Sequence, residues 1–280
     1  DLLSPDILTG QIDRLIDDPR SADMMFDFLG RWLGFEDLMM VVRDSIIYEA
    51  LYFEVRESMM GETRRFAEDL WQRNGSVAEL FTADHTFLDQ RLSEYYDIAL
   101  EGGVAGPDGF TRVELDGRRG GGILTQGAVM TTHAQPTSSS PIHRGVFIRE
   151  QVLCEDLLPP PEGLEIVPPE FNPDLSTRES FAAHTDNEQC AGCHRLIDGI
   201  GFGFEHYDGI GRYRIEENGH VVDASGNLAR IDGEDFPYDG VGELSAFLAQ
   251  DDQVKACYAR QWLRFGVGET EGLDSDCQVE

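Results

Sequence analysis

One short pattern constrains the fold and chemistry of this chain more than any other: Cys190-Ala191-Gly192-Cys193-His194. Residues three or four positions apart lie on the same face of a helix, so a helix here would point both thiols and the imidazole in one direction. Two thiols at this spacing can bond both vinyl groups of one porphyrin, and the histidine that follows can bind the iron as the proximal ligand. The pattern therefore predicts a helix that carries one covalent c-type haem, with His194 as an iron ligand.

Two other kinds of site also use a C-x-x-C pattern. A structural zinc site would need a second pair of ligands, but the chain has no second C-x-x-C and no H-x-x-x-H. A thioredoxin-like redox dithiol would need a strand before its helix, whereas the segment before Cys190 has a helical pattern. We favour the haem, and the zinc and dithiol alternatives stay open at this point.

The charge of the chain is strongly one-sided, with 53 acidic against 22 basic residues and a net charge of −31. Such a surface argues against nucleic acid or an anionic membrane as a partner. No run of 18 apolar residues exists, so we expect no membrane span. A solvated acidic surface that maintains solubility is the simplest interpretation. Bound Ca²⁺ is a weaker expectation, because the aspartates near glycines do not match an EF-hand loop; they are Asp198, Asp208, Asp223 and Asp239.

Five cysteines are present, and the haem motif uses two of them. A c-type haem is attached outside the cytosol, where the remaining thiols tend to form disulfides. Cys257 and Cys277 flank the last predicted helix, and we favour a bridge between them. A bridge from Cys154 to either of them stays open.

Apolar periodicity predicts a mainly α fold, a helical bundle with a covalent c-type haem and a small β-ribbon after the haem motif. We divide it into an N-terminal helical region (1–100), a middle segment with a Pro-rich connector (101–175) and a haem-binding C-terminal region (176–280). The predicted helices begin at Pro5 and span Ser21–Trp32, Tyr48–Gln72, Phe87–Tyr96, Ile123–His133, Ile142–Leu153, Val241–Leu248 and Asp252–Phe265, with capping boxes at Ser76–Glu79 and Ser176–Glu179.

Two further segments follow the motif. The Gly-rich run from Asp198 to Glu205 would let backbone approach a flat ligand closely. A β-ribbon is expected for Gly211–Ile215 and His220–Val222, around a turn that contains Asn218-Gly219. Further upstream, Thr111–Leu115 is expected to form a short strand.

The ligand opposite His194 would decide the chemistry, because a strong sixth ligand gives a closed electron carrier and an open position allows small molecules or peroxide to bind. His184 lies at the end of the helix before the motif. The negative end of the helix dipole also favours a histidine at this position, without any bound iron. His133 and Met130 share one face of their predicted helix, although a helical Met more often packs in a core. His206 and His143 are weaker candidates.

Other residues are candidates for binding the porphyrin itself. Phe202, Phe204 and Tyr207 would form an apolar wall. Arg144 would pair with a haem propionate, and ordinary salt bridges to the many carboxylates are an equally good interpretation of this arginine. Further arginines of the same kind are Arg149, Arg212 and Arg214.

Two longer phrases carry a resemblance to a known family: S-P-I-H-R-G at Ser140–Gly145 and the segment from His184 to Arg214. They resemble the C-terminal half of the large secreted cytochrome proteins of planctomycetes and myxobacteria, which contain serial domains of unknown function. The resemblance covers nearly the whole chain in the same order. It implies secretion, a covalent haem and electron transfer.

The chain departs from this family at two places. Family members usually read D-P-x-G where this chain has Asp198-Gly199-Ile200-Gly201, and often E-N-F-D where it has Glu205-His206-Tyr207-Asp208. Because family members are commonly longer at the N-terminus, we also expect this sequence to be a mature or partial chain.

The function expected from the sequence is electron transfer by a secreted, periplasmic or cell-surface monohaem cytochrome, as a module of a larger assembly. Its partner would be a redox protein or a neighbouring haem subunit, and catalysis is the lesser expectation. One alternative is a peroxidase-like or oxygenase-like haem enzyme with an open distal site. Another is a structural subunit of a homo-oligomeric, haem-bearing extracellular filament.

Overall fold

The computed structural model describes residues 4–101, 103–158, 169, 172–185, 188–231 and 234–268. Side chains are described for these residues except 182–185, 188–191 and 193. Within this part the chain is mainly helical, as predicted. The helices are α1 Pro5–Ile16, α2 Ser21–Leu33, α3 Phe53–Gln72, α4 Val77–Thr82, α5 Gln90–Tyr96, α6 Gly127–Thr132, α7 Pro141–Phe147, α8 Thr177–Thr185, α9 Glu188–Phe202, α10 Gly240–Gln250 and α11 Asp252–Val267.

Short antiparallel strand pairs lie between the helices. Strand β1 (His85–Leu88) pairs with β2 (Thr111–Glu114), so that Phe87 lies opposite Arg112. Strand β3 (Glu216–Glu217) pairs with β4 (His220–Val221), and β5 (Ser225–Leu228) pairs with β6 (Phe236–Asp239). The expected strand at Thr111–Leu115 is confirmed, and so is a ribbon after the haem motif, although this ribbon is shorter and starts later than predicted.

The turn of that ribbon has the backbone that its sequence predicts. Asn218 and Gly219 both adopt positive φ, 51° and 82°. Two consecutive positive φ values define the tight hairpin turn that an Asn-Gly pair favours, because glycine has no Cβ to clash there and asparagine tolerates the left-handed region.

A continuous apolar cluster joins all three regions that we distinguished in the sequence. In α2, Phe28 stacks on Trp262 of α11 with ring centroids 3.8 Å apart, which joins the two ends of the described chain. Leu29 and Leu33, on the same face of α2, are fully buried. Helix α1 is different, because none of its residues is buried.

Two predicted helices begin later than expected. The helix predicted over Phe87–Tyr96 begins only at Gln90, because Asp89 accepts a hydrogen bond from the amide of Leu92 and caps α5, while the residues before it form β1. The helix predicted over Tyr48–Gln72 begins at Phe53.

Two more predicted helices are divided. The one predicted over Ile123–His133 consists of a 3₁₀ turn (Gly122–Thr125) and α6, separated by Gln126 in an extended conformation. The one predicted over Ile142–Leu153 is α7 followed by a π-helical segment, Ile148–Val152. A π segment within a helix often marks a functional site or a local insertion.

The favoured disulfide was wrong and its alternative is correct, because the bridge joins Cys154 to Cys257 across 103 residues, with Cα atoms 5.4 Å apart. Cys154 directly follows the π segment and Cys257 lies in α11, so the core packing of these two elements brings the sulfurs together. Cys277 and the connector 159–168 lie outside the described residues. No helix in the described ranges is long and apolar enough to cross a membrane.

Candidate functional site

The haem motif lies in the first half of α9, so its residues are helical as the pattern predicts. Asp198 lies one helical turn after the motif, and its Oδ1 is 2.9 Å from Nδ1 of His194. A carboxylate can only accept here, so Nδ1 of the imidazole is the donor in this contact. An imidazole in this state is suited to bind iron through Nε2, and the donor chemistry of His194 therefore fits an axial haem ligand.

The side chains of Cys190, Cys193 and His184 lie outside the described residues. Their backbones are helical, with His184 in the last turn of α8 and the cysteines three residues apart in α9. Helix α8 packs against α9.

Helix α9 is fixed in place by a close crossing with α7. A Cβ on Gly201 would overlap the carbonyl oxygen of Pro141, and a Cβ on Gly145 would overlap that of Ile197. The two contacts are four residues apart on each helix, so the helices run antiparallel along small residues. The S-P-x-x-R-G phrase and the glycines after the haem motif are therefore packing partners.

The same arrangement changes the interpretation of the Gly-rich run. We expected its glycines to face a flat ligand, but they face protein. Gly199 packs against the backbone carbonyl of Asn227, and Gly203 packs against the ring of Tyr238. Close backbone approach does require glycine at these positions, and the neighbours are β5, β6 and α7.

Arg144 is fully buried below this crossing. Its guanidinium donates hydrogen bonds to the carbonyl oxygens of Phe204 at 3.0 Å, Tyr207 at 2.7 Å and Asp208 at 2.8 Å. These carbonyls belong to the turns that follow the end of α9. These contacts give Arg144 a structural role beneath α9. In the described structure its guanidinium does not reach the surface, where the sequence analysis expected it to pair with a haem propionate.

A buried carboxylate lies beside Arg144. Oε2 of Glu205 accepts hydrogen bonds from Nη2 of Arg214 at 2.8 Å and from Oγ of Ser139 at 2.9 Å. Its other oxygen, Oε1, is 3.9 Å from Nη1 of Arg144 and has no hydrogen-bond partner among the described residues. Burial raises the pKa of Glu205 and lowers that of Arg144. This ion-pair network joins the segment after α9 to the loop before α7.

The proposed apolar wall is part of the main core. Phe204 and Tyr207 are buried, and the ring of Tyr207 packs edge-on against Tyr213 at 5.8 Å. Phe202 lies beneath the guanidinium of Arg178, 4.5 Å from the ring centroid. All three pack against other protein groups in or directly after α9.

The two candidate distal ligands of α6 are engaged inside the core. Met130 is fully buried in the apolar cluster. His133, which caps α6, hydrogen-bonds through Nε2 to the carbonyl oxygen of Leu33 at 2.8 Å and stacks on Phe147 at 4.1 Å. Desolvation lowers the pKa of His133 to about 4, so its imidazole is neutral at pH 7. Either residue would have to leave these contacts to reach an iron atom.

Two of the aspartates that we considered for Ca²⁺ accept hydrogen bonds from residues close to them in the chain. Asp208 accepts from the amides of Ile210 and Arg212, and Asp223 accepts from Ser225. Asp239 precedes α10. Among the residues with described positions, no group of three or more His, Cys, Asp or Glu side chains could hold a metal ion.

Sequence reasoning missed two functional features. Asp198 entered only as a weak Ca²⁺ candidate, although its spacing of four residues from His194 on a predicted helix already places the two side chains together. The buried cluster around Glu205 has no such signal, because its partners come from distant segments.

Two family comparisons match the chain. Residues 1–98 match the family described as protein of unknown function DUF1592. Residues 119–217, which contain the S-P-x-x-R-G phrase and the haem motif, match protein of unknown function DUF1588. No curated protein and no solved structure matches the chain significantly. Over these two ranges the chain is therefore similar to two families of unknown function.

Proposed function

We propose that this chain is an extracytoplasmic monohaem c-type cytochrome that transfers electrons, as a module of a larger surface or extracellular assembly. The observation that carries the proposal is the helical placement of C-x-x-C-H in α9, with Nδ1 of His194 bound to Asp198 at 2.9 Å. A c-type haem held there would supply a one-electron Fe(III)/Fe(II) couple.

The residues of the chain have distinct tasks in this proposal. Cys190 and Cys193 form the thioether links, and His194 binds the iron through Nε2. Asp198 holds the imidazole in the correct tautomer and orientation. The crossing of α9 with α7 keeps this helix rigid, which favours electron transfer because a centre that moves little needs little reorganisation.

The disulfide supports a location outside the cytosol. Bridges such as Cys154–Cys257 persist in oxidising compartments and are rare in the reducing cytosol. Attachment of a c-type haem requires the same location. A secreted, periplasmic or cell-surface protein accommodates both features.

We propose His184 as the ligand opposite His194. Met130 and His133 are engaged in the core, whereas His184 lies at the end of α8, which packs directly against α9. Two histidine ligands would close the site to small molecules. The redox partner would then meet a protein of net charge −31, which favours a basic docking surface or bridging cations.

A reduced-minus-oxidised spectrum of the full chain, produced in a host that attaches c-type haems, tests this function. We expect sharp low-spin bands and no spectral change when CO is added to the reduced protein. Rapid CO binding would overturn the closed carrier in favour of a haem enzyme with an open distal site. If His184 closes the site as proposed, His184→Ala should bind CO although the wild type does not. Met130→Leu should behave like the wild type.

A further inference from the structure

The carboxylate that accepts from His194 is itself well enclosed. The Asp198 side chain is 10% exposed and the His194 side chain 21% exposed, with 2.9 Å between Oδ1 and Nδ1. A charged acceptor gives a shorter and stronger hydrogen bond than a neutral one, and shielding from water increases its effect.

Close packing on both sides of Asp198 fixes the backbone that carries this carboxylate. On one side, the carbonyl of Ile197 is in contact with Gly145 of α7. On the other side, Gly199 is in contact with the carbonyl of Asn227 in β5. Tyr238 of β6 adds a hydrogen bond from its hydroxyl to the carbonyl of Ile200 at 2.8 Å. The acceptor is therefore built into the crossing of α7, α9 and the β5–β6 pair.

A metal-binding histidine that donates Nδ1–H to a carboxylate becomes a stronger base at Nε2 and is fixed in orientation. A more basic ligand stabilises the ferric over the ferrous state, so it lowers the reduction potential. We propose that Asp198 is the positioning residue that sets a low reduction potential for the haem bound by His194. This inference rests on the proposed function, because it requires the haem.

The test uses the full haem-bearing chain and a matched pair of charge-neutralising variants. Asp198→Asn keeps the size of the side chain and an acceptor oxygen but removes the charge. Asp252→Asn removes the same charge at an exposed position of α11, 96% exposed. Haem content is measured by the pyridine haemochrome spectrum, and the midpoint potential by spectroelectrochemistry.

We expect both variants to retain covalent haem. Asp198→Asn should shift the reduction equilibrium at least tenfold toward the ferrous state, which corresponds to 59 mV for one electron, while Asp252→Asn shifts it far less. Asp198→Glu, which restores the charge, should return the potential toward the wild-type value. Equal potentials for Asp198→Asn and Asp252→Asn would overturn the inference and leave the cytochrome proposal intact.

Two further outcomes are also decisive. A wild-type chain without covalent haem would overturn the proposed function, and this inference with it. If Asp198→Asn does not fold, Asp198→Ser replaces it as the variant without the charge: a potential displaced upward from the wild type supports the role of Asp198, and a potential equal to that of Asp252→Asn contradicts it.

Discussion

The α-carbon of Gly201 in α9 lies so close to the carbonyl oxygen of Pro141 in α7 that a methyl group on Gly201 would overlap this oxygen. This oxygen belongs to the backbone, so rotation of a side chain cannot relieve the overlap. The crossing therefore requires the absence of a side chain at Gly201.

Gly201→Ala should lower the free energy of unfolding by about 1–3 kcal/mol, the usual range for overpacking a core. The change forces α7 and α9 apart. Gly266→Ala in α11 is the matched control, since nothing lies within 4 Å of its added methyl group, and alanine should stabilise that helix slightly. Urea unfolding measures both, and equal stabilities for the two variants would contradict the crossing as described.

Arg144→Lys should destabilise the protein by about 2–4 kcal/mol. Lysine has one compact ammonium group, which cannot reach the three carbonyls that the planar guanidinium binds together, and each buried acceptor left without a donor costs about 1–3 kcal/mol. Arg212→Lys, in the segment after α9 and half exposed, should change the unfolding free energy by less than about 0.5 kcal/mol. Thermal unfolding of the two variants provides the comparison, and similar losses would contradict the buried role of Arg144.

Removing the disulfide should lower stability by about 3–5 kcal/mol, because the bridge closes a loop of 103 residues in the unfolded chain. The double variant Cys154→Ser/Cys257→Ser tests this by urea unfolding. Cys277→Ser should have no such effect, and reducing agent should destabilise Cys277→Ser but not the double variant. A large loss in Cys277→Ser alone would revive the pairing first favoured from the sequence.

The stability of the fold should decrease in mild acid because of His133. Its pKa is about 4 in the folded protein and 6.5 in its ordinary state. Between these values the unfolded chain binds a proton that the folded chain does not, so unfolding becomes easier as pH falls from about 6.5 to 4, by up to about 3 kcal/mol. Burial also lowers the pKa of His143, which acts in the same direction.

His133→Gln should remove most of this pH dependence between pH 4 and 6.5. Urea unfolding at several pH values measures the slope. An undiminished slope in His133→Gln would show that other groups carry it. The same variant should retain the wild-type haem spectrum, because His133 is engaged with Leu33 and Phe147.

The sequence predicted the features that depend on neighbouring residues. The capping box at Ser76 and Glu79 is present, and at Ser176 the amide of Glu179 donates to Oγ while Oε2 of Glu179 accepts from the amide of Ser176. The Asn218-Gly219 turn also formed as predicted. Each of these features is decided within a few residues, by cap and turn chemistry.

Features that depend on distant segments were not predictable from the sequence. Only the packing of α11 beside the π segment decides that Cys154 pairs with Cys257. Glycines 199, 201 and 203 require close contact, but the sequence does not say whether the contact is a ligand or another helix. The buried position of Glu205 likewise depends on Ser139 and Arg214, which lie far from each other along the chain.

The central claim is that α9 carries a covalent haem at Cys190, Cys193 and His194. Mass spectrometry of the purified full chain after proteolysis tests it most directly, in protein produced by a host that attaches c-type haems. We predict a peptide containing both cysteines with the added mass of one haem, and its absence in the Cys190→Ala/Cys193→Ala variant. Both cysteines recovered in the wild type as free thiols, as a disulfide or bound to zinc would contradict the account.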